Sequence, residues 1–230
     1  WMNYKKNYNK NNFKKGTVVF FPHRNYVSKP VFKNIEHYFQ LLKNLPKRYK
    51  PITIMLSHFE ISDGYQHKLK KYGFNIVTAG NTNSIKFVKN FYDIISKFKY
   101  ATSPMSPTSV SSAFFYSVNF GLLFFFLGKN NWKVFSNEGF LKKGKVSSKD
   151  YGDSIDIKLL KKINKIFYFS KNNELTADKQ KMVVKYMGLD SDMTRYKFSY
   201  ILWKSFLLNV LNLNIFKLYY KHLRLLLKNR

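Results

Sequence analysis

The densest group of side chains that could bind a ligand is the hydroxyl-rich segment at residues 103–112, Ser-Pro-Met-Ser-Pro-Thr-Ser-Val-Ser-Ser. It lies between a predicted strand and a predicted helix. The free amides and the dipole of a helix N-terminus favour an anion such as phosphate, and hydroxyl groups add donors without blocking its approach. The candidate phosphate ligands are therefore Thr108, Ser109, Ser111 and Ser112. Alternatively, Thr108 or Ser109 only caps the helix, which requires no ligand.

A second candidate group, the pair His23 and Arg24, follows the first predicted strand. An arginine guanidinium pairs with phosphate or carboxylate groups. A histidine can donate a hydrogen bond or exchange a proton near neutral pH. The alternative is an exposed loop pair that binds nothing.

Polar residues also follow the second and third predicted strands. Glu60 and Asp63 come after the second strand, where either could act as a base or simply cap the next turn. Gly80 and Asn81 come after the third strand. Glycine permits a tight turn and close backbone approach, and the Asn81 amide could orient a sugar hydroxyl or only shape the turn. The catalytic base stays unassigned, with His23, Glu60 and Asp63 as weak candidates.

The elements that position these residues alternate between strand and helix. Short β-branched and aromatic runs predict five strands, at residues 16–21, 51–56, 74–78, 99–103 and 122–127. Apolar periodicity and cap signals predict helices at residues 30–45, 66–72, 84–97, 110–119, 155–169 and 177–187. This alternation predicts an α/β fold with a Rossmann-like parallel sheet of about five strands, helices on both faces and further C-terminal helices. Such sheets bind ligands at the carboxyl ends of their strands.

Several chemistries lack the residues they need. The chain has no cysteine, so it has neither a disulfide framework nor a thiolate metal site. Its five histidines and twelve acidic residues show no metal-binding spacing such as HExxH, and we expect no bound metal. A Walker loop, a GxGxxG fingerprint and a GxSxG elbow are also missing. These absences argue against P-loop NTPases, dinucleotide oxidoreductases and serine hydrolases.

The formal net charge of +29 comes mainly from lysines that are spread over the whole length. They accompany abundant Asn, Tyr, Phe and Ile, a mixture that an AT-rich coding sequence would produce by itself. The charge therefore does not point to nucleic acid as a partner. The positive field nevertheless attracts phosphate groups and acidic lipid.

The order and spacing of these segments resemble one half of a known enzyme architecture. The resemblance covers residues 16–190 and rests on Phe21-Pro22-His23, Ala79-Gly80, the Phe-rich helix at 87–95, the serine-rich turn and Phe120-Gly121. The chain resembles the C-terminal, donor-binding half of GT-B glycosyltransferase-like proteins of bacterial capsule and surface-polysaccharide biosynthesis.

The resemblance implies a nucleotide-sugar as donor substrate and no bound cofactor. It assigns the phosphate turn to Thr108, Ser109, Ser111 and Ser112, and the loop after the first strand to His23 and Arg24. Three positions depart from the family pattern. Asn81 stands where relatives often have His, Gly121-Leu122-Leu123 replaces Gly-x-Pro, and Thr108 replaces a small glycine. These departures bear on activity more than on fold.

By this resemblance, residues 16–198 form a nucleotide-sugar-binding domain. We expect residues 1–15 to be disordered or the remnant of a missing N-terminal domain. Residues 199–230 are predicted to form a basic amphipathic helix. Its segment 200–227 either packs across the missing domain or lies on an anionic membrane surface. The acceptor would be a glycan or a lipid-linked sugar, and the location cytoplasmic, either free or peripheral at the inner membrane face.

Two other functions stay open on the sequence. A sugar-nucleotide epimerase has the same architecture and also uses a His-Arg loop after the first strand. A non-catalytic basic module of this fold would bind membrane, glycan or a partner glycosyltransferase. Nucleotide binding separates the glycosyltransferase and the epimerase from the non-catalytic module.

Overall fold

The fold is seen in a computed structural model, which describes residues 14–22, 28–32, 34–104, 110–128, 132–136, 157–170, 174–187, 200 and 203. The strands are β1 (Thr17–Phe20), β2 (Ser28–Phe32), β3 (Ile52–Leu56), β4 (Asn75–Thr78), β5 (Tyr100–Pro104), β6 (Leu123–Leu127) and β7 (Trp132–Ser136). The helices are α1 (Ile35–Lys43), α2 (His58–Ser62), α3 (Tyr65–Lys70), α4 (Phe87–Ile95), α5 (Ser112–Phe120), α6 (Ile157–Ile166) and α7 (Ala177–Tyr186), with a 3₁₀ turn at Lys47–Tyr49.

Five strands form one parallel sheet in the order β4-β3-β1-β5-β6. The chain builds outward from β1 to β3 and β4, then returns to the other side of β1 for β5 and β6. This order is that of a doubly wound, Rossmann-like sheet. The predicted α/β class and the five-stranded parallel sheet are confirmed.

Alternating side chains along the strands supply two separate cores, one on each face of the sheet. Val18 and Phe20 of β1 belong to a core that α4, α5, α6 and α7 cover. Val19 and Phe21 belong to a second core that α1, the 3₁₀ turn and α3 cover. Strands buried on both faces read as continuous apolar runs, which is why the buried run Phe124–Leu127 shows no polar alternation. The prediction of helices on both faces is confirmed.

The free side of β6 is extended by a short segment after α6. Phe126 donates a backbone hydrogen bond to the Phe167 carbonyl at 2.7 Å, and the Phe169 amide donates to the Phe126 carbonyl at 3.0 Å. Tyr168 thus forms a parallel bridge with Phe126. Phe167 and Phe169 join opposite cores, as neighbours of one strand residue do. The predicted helix at 155–169 therefore ends earlier than expected, at Ile166.

A second, two-stranded sheet was not predicted. β2 pairs antiparallel with β7, from Ser28 opposite Ser136 to Phe32 opposite Trp132. The predicted helix at 30–45 is wrong over its first residues, because residues 30–32 belong to β2. The helix begins only at Ile35, where the Asn34 side chain accepts a hydrogen bond from the His37 amide at 2.9 Å.

The contacts between Cα atoms divide the chain into two units, Trp1–Met187 and Gly188–Arg230. In the second unit the structure describes Tyr200 and Trp203, which are helical and exposed. The rest of the predicted C-terminal helix, and most of residues 1–15, lie outside the described residues. No helix among the residues described is long and apolar enough to cross a bilayer.

Two glycines provide a matched test of how tightly β1 is held. Gly16, just before β1, has φ of +75°, and a Cβ there would lie 2.5 Å from the Pro51 carbonyl oxygen. Gly73 has φ of +80° with nothing within 4 Å of such a Cβ. Each Gly→Ala change should cost about 1–2 kcal/mol for the left-handed backbone. Gly16→Ala should cost about 1–3 kcal/mol more, because the methyl group overpacks the Pro51 backbone.

Urea denaturation of the two variants measures the difference in the free energy of unfolding. An equal loss in both variants would show that the start of β1 can move away from Pro51, contrary to this account.

Candidate functional site

The candidate residues from the sequence all belong to segments that follow the carboxyl ends of parallel strands. Residues 23–27 follow β1, and residues 105–109 follow β5. His23, Arg24, Thr108 and Ser109 fall in these two segments and lie outside the described residues. Glu60 and Asp63 follow β3, Gly80 and Asn81 follow β4, and Ser111 and Ser112 complete the connection from β5 to α5. Among the described candidates, Glu60, Asp63, Gly80, Asn81, Ser111 and Ser112 therefore share one edge of the sheet, the carboxyl edge.

The centre of this edge is the boundary between β1 and β5. Adjacent strands β1 and β5 are joined by parallel pairing, Thr17 opposite Tyr100 and Val19 opposite Thr102. The connection from β1 leads to α1 on one face, whereas the connection from β5 leads to α5 on the other. In doubly wound sheets the ligand crevice lies at such a reversal, which is called the topological switch point. The His23-Arg24 segment and the serine-rich segment begin at its two sides.

The start of α5 borders this crevice. The N-cap is Ser111, with extended backbone angles of −68° and 149°, and its side chain makes no cap hydrogen bond. The N-cap position of α5 is thus occupied by Ser111 rather than by Thr108 or Ser109. Ser111 and Ser112 are both exposed. The first-turn amides of α5 and two hydroxyl groups are therefore grouped at the switch point, which is an arrangement that suits an anion.

Aromatic packing holds that helix start in position. Phe114 is fully buried, with its ring centroid 4.9 Å from that of Phe124 and 4.8 Å from that of Phe167. Val110, just before the N-cap, is also buried. α5 ends at Gly121, whose φ of 101° lies in the left-handed region that glycine adopts without strain. The orientation of the first turn follows from these contacts with the sheet.

The segment after β3 forms α2, a short helix that is not among the predicted helices. Ser57 occupies the N-cap position of this helix without a side-chain cap hydrogen bond, and its hydroxyl donates to the Glu60 carboxylate. Glu60 is 5% exposed, so it is a buried acid at the carboxyl edge. This contact joins two side chains, so both roles that the sequence left open for Glu60, as a base and as a cap, stay predictions. Asp63 is exposed at the C-cap of the same helix.

The segment after β4 is a turn shaped by its own side chains. The Gly80 amide donates to the Thr78 hydroxyl at 3.0 Å, and the Asn81 side-chain oxygen accepts from the Asn83 amide at 2.9 Å. Asn90 of α4 donates to the Ala79 carbonyl at 3.3 Å. Asn81 therefore shapes the turn, and its side-chain NH₂ is the part able to meet a ligand. Space is open above Gly80, which leaves its backbone approachable.

Two buried hydroxyl groups near the switch point were missed in the sequence. Thr102 of β5 is fully buried, and Tyr38 of α1 is nearly so. Neither oxygen has a hydrogen-bond partner of normal geometry among the described residues. Burial raises the pKa of the Tyr38 phenol, and the Thr102 hydroxyl offsets part of this rise. The only sequence signal was a threonine in the middle of a strand buried on both faces.

The described part of the chain contains no group of three His, Asp or Glu side chains that could hold a metal ion. Comparison of the chain with models of known protein families, with curated proteins and with solved structures finds no match. The resemblance to glycosyltransferases therefore stays an expectation from the sequence, and the argument for function rests on the site itself.

A capping hydrogen bond distinguishes a hydroxyl side chain with a structural role from one that is available to a ligand. The Thr176 hydroxyl caps α7 by accepting from the Lys179 amide at 3.3 Å, whereas Ser111 makes no cap bond. Thr176→Ala should lower the free energy of unfolding by about 1 kcal/mol. Ser111→Ala should change it by less than about 0.5 kcal/mol. Urea denaturation measures both, and a loss as large at Ser111 as at Thr176 would reassign Ser111 to capping.

Two threonines on neighbouring strands test the buried hydroxyl at position 102. The Thr17 hydroxyl donates to the Tyr49 carbonyl at 2.6 Å, and both Thr17 and Thr102 are fully buried. Thr17→Val leaves that carbonyl unsatisfied and should cost about 1–3 kcal/mol of unfolding free energy. Thr102→Val removes a hydroxyl without a normal partner and should be neutral or stabilising. Thermal denaturation compares them, and a larger loss at Thr102 contradicts the assignment.

Proposed function

We propose that this chain binds a nucleotide-sugar at the carboxyl edge, in the crevice between β1 and β5, and forms the donor-binding half of a glycosyltransferase. The observation that carries the proposal is the reversal of strand order at β1 and β5. Ligands of doubly wound sheets bind at such reversals. Both segments singled out in the sequence for phosphate binding start there.

The start of α5 is the proposed phosphate site. Its amides and the positive end of the helix dipole favour the diphosphate or monophosphate of the donor. Ser111 and Ser112 add hydroxyl donors, and Thr108 and Ser109 are proposed to extend the same turn. Arg24, from the segment after β1, is proposed to pair with the phosphate from the opposite side of the crevice.

The segments after β3 and β4 are proposed to meet the rest of the donor. β3 is the immediate neighbour of β1, and β4 is next to β3, so their ends continue the same edge. Gly80 offers an approachable backbone, and the Asn81 NH₂ group offers a donor to a sugar hydroxyl. These are the residues proposed to distinguish one sugar from another.

Transfer itself breaks the bond between the anomeric carbon and the donor phosphate oxygen. An acceptor hydroxyl forms the new bond and gives its proton to a base, which this chain does not assign among His23, Glu60 and Asp63. The helix end stabilises the charge that develops on the leaving phosphate, without requiring a metal. The acceptor is proposed to be a surface glycan or a lipid-linked sugar.

A thermal-shift panel with UDP, CMP, GDP and their sugars tests the proposal. A bound nucleotide at 100 times its Kd should stabilise the fold by about 2.7 kcal/mol and raise the melting temperature by several degrees. The double variant Ser111→Ala/Ser112→Ala should lose most of that shift. The control is Ser96→Ala, which removes a hydroxyl from the segment before β5, at the opposite edge of the sheet, and should keep the shift.

The possible results separate the three functions. A folded protein that shows no shift with any nucleotide would contradict the proposal and favour a basic binding module. Conversion of one sugar nucleotide into another without an acceptor would identify an epimerase. An equal loss of shift in the serine variant and its control would place the nucleotide away from α5.

A further inference from the structure

The amino edge of the sheet, opposite the carboxyl edge, carries a concentration of positive charge. Exposed lysines precede four adjacent strands, and we call them the amino-edge lysines: Lys15, Lys47, Lys50, Lys71, Lys97 and Lys99. They come from the segments at residues 14–16, 44–51, 70–74 and 96–99. These segments contain no aspartate or glutamate.

The lysine-rich composition by itself does not explain this concentration. The segments that follow β3, β4 and β5, at residues 57–64, 79–86 and 110–111, come from the same chain. Their charged side chains, apart from His58, are Glu60, Asp63 and Lys86. Among the described residues, the two edges of one sheet thus differ sharply in charge.

The hydrogen-bond ladder holds the amino-edge segments together. The Thr17 amide donates to the Pro51 carbonyl at 2.9 Å, and the Tyr100 amide donates to the Gly16 carbonyl at 3.1 Å. The lysines therefore project from one connected edge and not from independent loops. Since neighbouring strands lie about 4.8 Å apart, the four strand starts span about 15 Å. This is a short row of ammonium groups with a fixed spacing of their backbones.

We propose that the amino edge binds an anionic lipid bilayer. A row of cations at one edge can face a plane of phosphate headgroups. Each lysine near such a surface strengthens the binding by about the same amount as the others. Nucleic-acid binding would call for exposed rings that stack on bases or for an element that enters a groove. The aromatic side chains Tyr49, Phe74 and Phe98 of these segments are buried instead. Tyr72 is half-buried, with its ring against Phe39 and its hydroxyl donating to the Glu36 carboxylate.

Vesicle co-sedimentation with the full chain tests the proposal. The vesicles are phosphatidylcholine alone, or phosphatidylcholine with an equal share of phosphatidylglycerol. The amino-edge variant changes five lysines that make no ring contact to glutamine: Lys15, Lys47, Lys50, Lys71 and Lys97. The matched control removes the same charge from exposed positions of α6 and α7: Lys161, Lys162, Lys165, Lys181 and Lys185.

We expect the protein to bind the phosphatidylglycerol vesicles and not phosphatidylcholine alone. The amino-edge variant should lose at least ~100-fold in partition coefficient, and the control should lose much less. Raising the salt concentration should weaken binding of the unchanged chain. Melting temperatures verify that both variants fold. If the five-residue variant does not fold, Lys47→Gln/Lys50→Gln against Lys161→Gln/Lys165→Gln applies the same comparison.

Four outcomes would overturn the proposal. The unchanged chain does not bind anionic vesicles, or both variants lose binding equally, which would mean that only net charge matters. Neither variant loses binding, which would place the membrane contact elsewhere, as in the predicted segment 200–227. Lastly, double-stranded DNA competes the protein off the vesicles and binds it through the same lysines, which would make nucleic acid the partner.

Discussion

The four residues of β1 are the constraint on which the rest of this fold depends. β1 pairs with β3 on one side and β5 on the other, and it is buried on both faces. Because both edges and both faces of β1 are covered, only the segments at its two ends can contact a ligand. One end starts at Gly16 against Pro51, and the other passes through Phe21 and Pro22 into the proposed ligand crevice. The same short strand therefore holds the centre of the sheet and leads into the proposed ligand site.

Aromatic packing converts that arrangement into a rigid site. Phe20 of β1 stacks on Phe91 of α4 and on Phe124 of β6, with centroid distances of 5.8 and 6.4 Å. Phe114 links α5 to the same core through Phe124. Fully burying such a side chain contributes about 1.5–3 kcal/mol, and paired rings add to this. The helix start that is proposed to hold phosphate is thus fixed by the interior of the protein and not by the polar residues that surround it.

Much of the sheet could be predicted because each strand carries its own signal. An apolar run such as the one at residues 122–127 needs no knowledge of its partners to be recognised as a buried strand. The pairing of β2 with β7 joins Ser28 to Ser136, and the bridge of Tyr168 joins a residue to an edge strand far along the chain. These elements are short and depend on distant partners, so local pattern cannot reveal them. The mistaken start of the helix at residue 30 has the same origin.

The candidate site was predictable in its position but less so in its details. Polar residues after apolar runs mark the carboxyl edge of any parallel sheet, which placed Glu60, Gly80 and Ser111 on one edge. Which serine caps α5 could not be read from the segment, because several neighbouring hydroxyl residues are equally good caps. Glu60 shows the same limit. Its carboxylate accepts from Ser57 because the chain after β3 forms a helix, and no helix was predicted there.

The charge difference between the two edges bears on how each would bind an anion. The described segments after β3, β4 and β5 carry one lysine against two acidic residues, so a phosphate held at this edge would depend on the amides and hydroxyls at α5, within hydrogen-bond distance. The amino-edge lysines act instead through a field that salt screens over about 10 Å. One sheet would therefore bind a small anion by geometry at one edge and an extended anionic surface by charge at the other. Because the two contacts lie at opposite ends of the strands, attachment through the amino edge does not compete with a ligand at the switch point.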